Sequence, residues 1–406
     1  MKYAIVVGDG MADEPLEELD GRTPLEYART PHMDALARRA AVLGQVRTVP
    51  EDLEPGSDVA NMAILGYDPR EHFTGRAPIE AAAMGIELGP EDVAIRCNLV
   101  TLKEQGGRLV VVDHSAGHIP TPEAHALIAK LKPVVEREGP FELHPGVSYR
   151  HLLIWRGGFS SLRGVRLTPP HNILGEPADR YGPRPPESEG ARTLRRLMQR
   201  AREFLLETQK EHDTPANAIW LWGAGRKPQL PPLAERFGIA GSVVSAVDLI
   251  RGLGALAGLR ILRVPGATGY LDTNYEGKVE YALDALREGD DFAYVHVEAP
   301  DEVSHEGSLE KKLQAIEDFD ARVVGPLVKG LQQFERWALM LLPDHPTPLR
   351  KRVHTPDPVP FALVRSWEAE GLPLQVQGFS ERAARGTGVL IKEGHRLIER
   401  LLGARA

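Results

Sequence analysis

Ile5-Val6-Val7-Gly8-Asp9-Gly10 opens the chain as a strand that ends on an acid. An apolar, β-branched run over 2–8 reads as a strand, and Gly-Asp-Gly stops it with a sharp turn that leaves a carboxylate at its tip. Two later runs end in the same manner. Ala293-Tyr294-Val295-His296-Val297 is followed by Asp301 and His305, and Trp337-Ala338-Leu339-Met340-Leu341-Leu342 by Asp344, His345 and, in a proline-rich loop, His354. Open α/β sheets bind ligands just beyond the carboxyl ends of their strands. Three strands ending in hard or borderline metal ligands therefore suggest a metal site assembled from distant sequence, and with it a metalloenzyme.

Outward from these runs, short strand patterns alternate with longer helical ones. Strands are expected at 2–8, 95–102, 108–112, 151–155, 217–222, 242–245, 260–264, 292–298 and 337–342. Helices are expected at 31–42, 122–137, 189–211, 247–256, 275–287, 308–334 and 387–402. This alternation predicts an α/β fold with a largely parallel sheet. Residues 156–188 are rich in Pro and Gly and read as irregular loop. The expected organisation is a discontinuous catalytic domain, 1–91 with 189–406, and a smaller inserted α+β domain at 92–188.

Composition narrows the function. A chain of 406 residues has material for two or three domains. A formal charge of -8 argues against a nucleic-acid partner, which would call for a basic face. The single cysteine, Cys97, excludes an intramolecular disulfide and fits a reducing cytoplasm. Cys97 itself reads as a small core residue in Ala94-Ile95-Arg96-Cys97-Asn98-Leu99 rather than a reactive thiol. The apolar run at the N-terminus is too short for a signal peptide, and nothing approaches the roughly 20 apolar residues of a membrane span. The expectation is a cytoplasmic protein acting on a small molecule, with no membrane or nucleic-acid partner; whether it is a monomer or a homo-oligomer stays open.

The chemistry follows from spacing. Alone, an Asp in the position of Asp9 is more often a turn former or N-cap than a ligand. Asp301 and His305, four apart, share one side of a helical turn and can face one ion; Glu298 and Glu302 are further ligand candidates by spacing. Adjacent Asp344 and His345 can point apart. Asp and His donors suit Zn²⁺ or Mn²⁺ better than Ca²⁺ or a thiolate-seeking ion. In Glu54-Pro55-Gly56-Ser57-Asp58-Val59-Ala60-Asn61, Ser57 reads either as the cap of a helix over 58–65 or as a nucleophile at a helix N-terminus, where negative charge is favoured and a metal would lower its pKa.

The ordered set Asp9, Ser57, Asp301-x-x-x-His305, Asp344-His345 and His354 resembles the alkaline-phosphatase superfamily, and more closely the shorter, archaeal-type branch of cofactor-independent phosphoglycerate mutases. The motifs Val7-Gly8-Asp9-Gly10-Met11, Pro55-Gly56-Ser57-Asp58-Val59-Ala60-Asn61, Thr74-Gly75-Arg76-Ala77-Pro78-Ile79-Glu80-Ala81, Pro300-Asp301-Glu302-Val303-Ser304-His305 and Pro343-Asp344-His345 carry the resemblance over nearly the full chain. The resemblance implies an alkaline-phosphatase-like sheet with helices on both faces. It implies two divalent ions, Mn²⁺ first among Zn²⁺, Co²⁺ and Mg²⁺. One would be held by Asp9, Ser57, Asp344 and His345, the other by Asp301, His305 and His354. Ser57 would take the phosphoryl group of 3-phosphoglycerate and return it to the 2-hydroxyl, without 2,3-bisphosphoglycerate, as a step of glycolysis and gluconeogenesis.

The resemblance also implies that the insert holds the glycerate. The candidate clamps are His114, His118 and Arg150 in the insert, and Arg76, Arg226 and Lys278 in the sheet domain; Lys278 is also a candidate to protonate the leaving alkoxide. Arg offers carboxylate and phosphate a two-pronged donor. In Pro169-Pro170-His171-Asn172 the family pattern leads one to expect Asp where Asn172 stands, which leaves His171 the only polar candidate of that segment. Two other readings use the same nucleophile and metals: a metal-dependent phosphohydrolase, and a homoserine-kinase-like phosphotransferase on another small substrate.

Overall fold

The computed structural model describes residues 1–209, 214–368 and 376–403. The chain forms two compact units, one of Met1–Phe73 with Gln229–Ala406, the other of Thr74–Pro228.

The first unit is built on an eight-stranded sheet. In chain order its strands are β1 (Lys2–Gly8), β2 (Val42–Val46), then, beyond the five strands of the other unit, β8 (Gly241–Val244), β9 (Arg260–Leu262), β10 (Phe292–Val297), β11 (Trp337–Leu342), β12 (Val359–Arg365) and β13 (Leu390–Ile391). Their order across the sheet is β13-β2-β12-β11-β1-β10-β8-β9. All neighbours are parallel except β12, which runs antiparallel to both β11 and β2. Ala4, Val6, Val295, Leu339 and Leu341 share a core with Leu36, Val279, Leu283, Phe319 and Leu327 of the helices. The alternate side chains Ile5, Val7, Tyr294 and Met340 are fully buried too. Since successive side chains point to opposite faces, both faces of the sheet are covered, as a largely parallel sheet requires.

Register positions the site. β1 lies between β10 and β11, with Gly8 beside Val297 and Val7 beside Leu342. The three strands run the same way and end at one edge, so Asp9, the segment from Glu298 to His305, and Asp344-His345 all emerge there. Pro300 in the first turn and Gly307 at φ +75° bound the helix Ala299–Glu306 that carries Asp301 and His305.

The second unit is an antiparallel sheet of β3 (Val93–Gln105), β4 (Arg108–Asp113), β5 (Phe141–His144), β6 (Arg150–Trp155) and β7 (Ala218–Gly225). The helices Thr121–Glu136 and Glu189–Glu207 bury Leu127, Leu131, Leu194, Leu197 and Leu205 against Ile95, Leu99, Ile219 and Leu221. Cys97 lies in this core, where burial pushes its thiol up to about 12.

The α/β architecture agrees with expectation, but this unit is wider than 92–188. β7 pairs with β3 from Ala94 to Val100, and the helix Glu189–Glu207 packs in the same core. The Pro- and Gly-rich stretch 156–188 is thus a loop region within the unit, not its border, and Arg76 and Arg226 belong to this unit rather than to the larger sheet. Other corrections are local. β2, β5, β12 and β13 are strands that were not anticipated: two are very short, and Pro360 disguises β12. The span 387–402 holds β13, preceded by a left-handed Gly388 (φ +72°), a short 3-10 turn at Gly394–Arg396 and a helix from Leu397 to Leu402. The pattern over 308–334 is a helix interrupted by a π turn at Asp320–Val324. The expected end of the helix 189–211, at 210 and 211, lies outside the described residues.

Candidate metal centre

At the shared edge the side chains of Asp9, Asp301, Asp344, His345 and His354 converge with His305 and with His296 of β10. Three sets of ligand atoms lie within ion-binding reach of one another: Asp301, His305 and His354; Asp9, Asp301 and His345; and Asp9, His296 and Asp344. The expected trio of Asp301, His305 and His354 is therefore brought together. His305 Nε2 is 3.2 Å from Asp301 Oδ2 and 3.0 Å from His354 Nε2. Asp9 stands between the other two sets, its Oδ1 3.5 Å from His345 Nε2 and its Oδ2 3.4 Å from His296 Nε2.

Electrostatics tests whether a cation fits. Asp9 is 5% exposed, and its Oδ1 has no hydrogen-bond partner. Burial, then the neighbouring Asp344 and Asp301 carboxylates, raise its pKa well above the usual range. A buried carboxylate beside two others, with an oxygen left unpartnered, is costly unless a cation completes it. For Asp301, burial acts to raise the pKa, but contacts with His305 and His354 outweigh it and hold the carboxyl well below its usual range. The Asp301 contact in turn lifts His305 to about 9. The donor set is oxygen and imidazole, without thiolate, and fits a divalent ion such as Mn²⁺ or Zn²⁺.

Ser57 is the first residue of the helix Ser57–Ile64, and extended Gly56 precedes it as the cap position. The side-chain capping role is thus corrected: Ser57 Oγ lies instead 3.1 Å from His345 Nε2. One turn on, Asn61 Nδ2 donates to the Ser57 carbonyl and to Asp344 Oδ2, both at 2.8 Å, and Asn61 Oδ1 accepts from Tyr294 Oη at 2.5 Å. Asp344 Oδ1 accepts from the backbone N–H groups of Gly10 and His345. Thr347 Oγ1 donates to Asp301 Oδ1 at 2.5 Å and lies 3.2 Å from His345 Nδ1.

Two expected roles change. Lys278 is 0% exposed and donates to Glu298 Oε2 at 2.7 Å and to the His296 carbonyl at 3.0 Å. So enclosed, it has no access to a leaving alkoxide; it neutralises Glu298. Glu298 is not a ligand either: its Oε1 accepts from Ser245 Oγ, Ala246 N and Val247 N, and lies 3.3 Å from His296 Nδ1. Glu302 is exposed and belongs to none of the three ligand sets among the described residues. The residues that sequence reasoning missed are His296, Asn61 and Thr347. Each had a faint signal: a histidine inside an otherwise apolar strand, and polar residues one turn from Ser57 and two residues from His345.

Within the second unit, four of the five clamp candidates fall in one chain of contacts. Glu80 bridges Arg76 Nε (3.3 Å) and Arg96 Nε (3.1 Å). The Arg96 guanidinium lies 4.1 Å over the Trp222 ring; Trp222 meets His171 edge-on, and His171 meets His114. His114 and His118 both pack on Tyr149, which Arg150 overlies at 5.5 Å. Burial lowers Arg96 to about 10, with Glu80 opposing, so it stays charged at neutral pH. Burial, with nearby His114, Arg96 and Arg76, lowers His171 to about 4 and keeps it neutral there. Arg226 stands outside this chain, 4.8 Å over the Phe159 ring, with its carbonyl accepting from Thr74 Oγ1. Arg96, which no motif flagged, is the most buried cation of the group.

Comparison with known proteins places the chain in a family. A family model described as 2,3-bisphosphoglycerate-independent phosphoglycerate mutase matches residues 37–210. A probable 2,3-bisphosphoglycerate-independent phosphoglycerate mutase of Geobacter sulfurreducens is 50% identical over 408 residues, covering 99% of this chain and all of that one. The mutase of that name from Methanothrix thermoacetophila is 47% identical, with 99% and 100% covered. Among solved structures, a Pyrococcus horikoshii protein superposes with a TM-score of 0.79 at 27% identity, covering 99% of this chain and 96% of that one. The cofactor-independent phosphoglycerate mutase of Thermoplasma acidophilum gives 0.65 at 26% identity, with 99% of both covered. With identities near one half over the whole length of both chains, this chain belongs to the 2,3-bisphosphoglycerate-independent phosphoglycerate mutase family.

Proposed function

We propose that the chain is an isomerase that interconverts 3-phosphoglycerate and 2-phosphoglycerate through a phosphoserine on Ser57, with no need for 2,3-bisphosphoglycerate. The observation that carries this reading is the meeting of Ser57 Oγ and His345 Nε2, 3.1 Å apart, beside a buried Asp9 carboxylate with an unpartnered oxygen. Asp9, Ser57, Asp344 and His345 would hold one ion, and Asp301, His305 and His354 the other, Mn²⁺ being our first assignment on donor chemistry. Ions bound there would supply positive charge against the transferring phosphoryl group and lower the pKa of the Ser57 hydroxyl.

The chain's own residues do the rest. Ser57 Oγ and His345 Nε2 are close enough to share one ion, and Asn61 holds the helix terminus and the Asp344 carboxylate in one arrangement. The N-terminus of the helix Ser57–Ile64 favours the negative charge of a phosphoryl group on its first residue. Ser57 Oγ gives up its proton and forms the new bond to phosphorus as the bond to the glycerate oxygen breaks, and that oxygen ends protonated. In the return step the other glycerate hydroxyl loses its proton and attacks, the Ser57 Oγ–phosphorus bond breaks and Ser57 regains a proton, so water is not consumed. The cations of the second unit, Arg76, Arg96 and Arg150 with His114 and His118, have the chemistry to hold the carboxylate of the glycerate. The single buried thiol, together with this glycolytic substrate, supports a cytoplasmic setting.

A coupled assay of 3-phosphoglycerate to 2-phosphoglycerate, with free phosphate measured in parallel, tests the proposal. Isomer should form without added bisphosphate and without phosphate release. Ser57→Ala should cut turnover by at least about 10³-fold while the fold persists. Phosphate release without isomer would move the assignment to a hydrolase.

A further inference from the structure

We propose that Lys312 is a positioning residue of the metal centre. Its ammonium ties the loop after Asp9 to the loop after His345, and so holds the groups of both loops that bear on the ligands Asp344 and Asp301 in place. The inference rests on the metal-centre reading above.

Lys312 lies in the helix Leu309–Phe319 and is 0% exposed. Its Nζ donates to the carbonyls of Gly10 (3.2 Å), Ala12 (3.4 Å) and Thr347 (3.0 Å) and to Asp13 Oδ2 (2.8 Å). Four acceptors around three N–H donors saturate the ammonium. Asp13 is equally enclosed: its Oδ2 also accepts from Leu349 N at 3.1 Å, and its Oδ1 from Glu14 N at 2.7 Å.

A buried ion pair is a weak device for stability alone, because a well-packed apolar pair of like volume usually does as well. What an apolar pair cannot do is hold backbone carbonyls from two remote loops on one atom. Those loops carry the groups that orient the ligands. Gly10 N donates to Asp344 Oδ1, while Thr347 Oγ1 reaches Asp301 Oδ1 and approaches His345 Nδ1. The packing between them leaves no slack. Gly10 sits at φ +59°, and a Cβ there would lie 2.3 Å from Asp301 Oδ1 and 2.6 Å from Thr347 Oγ1. Lys312 holds both loops at this contact, and its charge offsets part of the repulsion among the three carboxylates of Asp9, Asp301 and Asp344.

The test is a Mn²⁺ titration of the full chain followed by electron paramagnetic resonance, with thermal melts in parallel. Wild-type protein should bind two ions with spin coupling between them; no binding at all would remove the metal reading itself. The double variant Lys312→Met, Asp13→Asn keeps an acceptor for Leu349 N and is neutral overall. It should fold, bind Mn²⁺ about 10- to 100-fold more weakly and lose or alter the spin coupling. Wild-type affinity and coupling in that folded variant would overturn the proposal, whatever its melting temperature. Should the double variant fail to fold, Lys312→Arg carries the test: it keeps the charge but moves the donors, so it should still show weakened binding, and unchanged Mn²⁺ binding there would equally overturn the role.

Discussion

Glu298→Gln probes the polar support beneath the site. In the wild type, Glu298 Oε2 is 2.7 Å from Lys278 Nζ, with both side chains essentially without solvent. The glutamine carbonyl can still accept from Ser245 Oγ, Ala246 N and Val247 N, so those bonds survive. What disappears is the counter-charge of a fully buried ammonium. Removing one partner of such a pair costs about 3–5 kcal/mol, because the other charge is left uncompensated. For a unit of this size, 1 kcal/mol moves the midpoint by about 2–4 °C. The variant should therefore melt about 6–20 °C below wild type at pH 7, by calorimetry or circular dichroism. Lys278→Met added to Glu298→Gln removes the orphaned charge and should recover most of the loss.

The pH dependence has a definite sign. Burial acts to raise the Glu298 pKa, but Lys278 and His296 outweigh it and hold the carboxyl well below its usual range. A depressed carboxylate pKa contributes stability that is complete above the unfolded value of about 4.3 and is lost as pH falls through the folded value. The gap between wild type and Glu298→Gln should thus be constant near neutrality and narrow below about pH 4. A variant that melts within about 2 °C of wild type at pH 7, less than 1 kcal/mol on the same scale, would refute the reasoning.

Further outcomes follow from other parts of the site. Gly10→Ala forces a left-handed backbone and a clash with Asp301 Oδ1 and Thr347 Oγ1; it should lower Mn²⁺ affinity about 10-fold or more, measured by calorimetric titration, with wild-type affinity counting against the tight packing described. Chelation should inactivate the enzyme and Mn²⁺ should restore it, whereas full activity in metal-free protein would contradict the centre. Arg96→Lys loses the stack on Trp222 and the link to Glu80, and should raise KM about 10-fold in steady-state kinetics with a smaller change in kcat; an unchanged KM would detach Arg96 from substrate binding. His171, lowered to about 4 by burial and its cationic neighbours, should stay neutral to below pH 5 in a histidine-selective NMR titration, and a midpoint near 6.5 would show that it is solvated. Because the unfolded histidine takes up its proton first, His171 should disfavour the folded state as pH falls from about 6.5 toward 4.

The strand tips were legible in the residues alone. Asp9, Asp301 and Asp344-His345 each follow a short apolar run, and a strand's end is a local property of the chain. The spacing of Asp301 and His305 is likewise local, because one helical turn brings residues four apart onto one face. Tertiary structure decided the rest. The alternation that marks β10 treats His296 as a core position; only the placement of β1 alongside reveals Asp9 at one ring nitrogen, while Glu298 meets the other. Ser57 read equally as a cap until the fold set His345 against it, 288 residues away. Lys278 looked like a catalytic lysine until packing enclosed it with Glu298, and the border of the smaller unit was hidden because β7 and β3, far apart in sequence, are partners in one sheet. Propensity and periodicity act over a few residues, whereas which carboxylate meets which histidine depends on strand order and register, which only the folded sheet fixes.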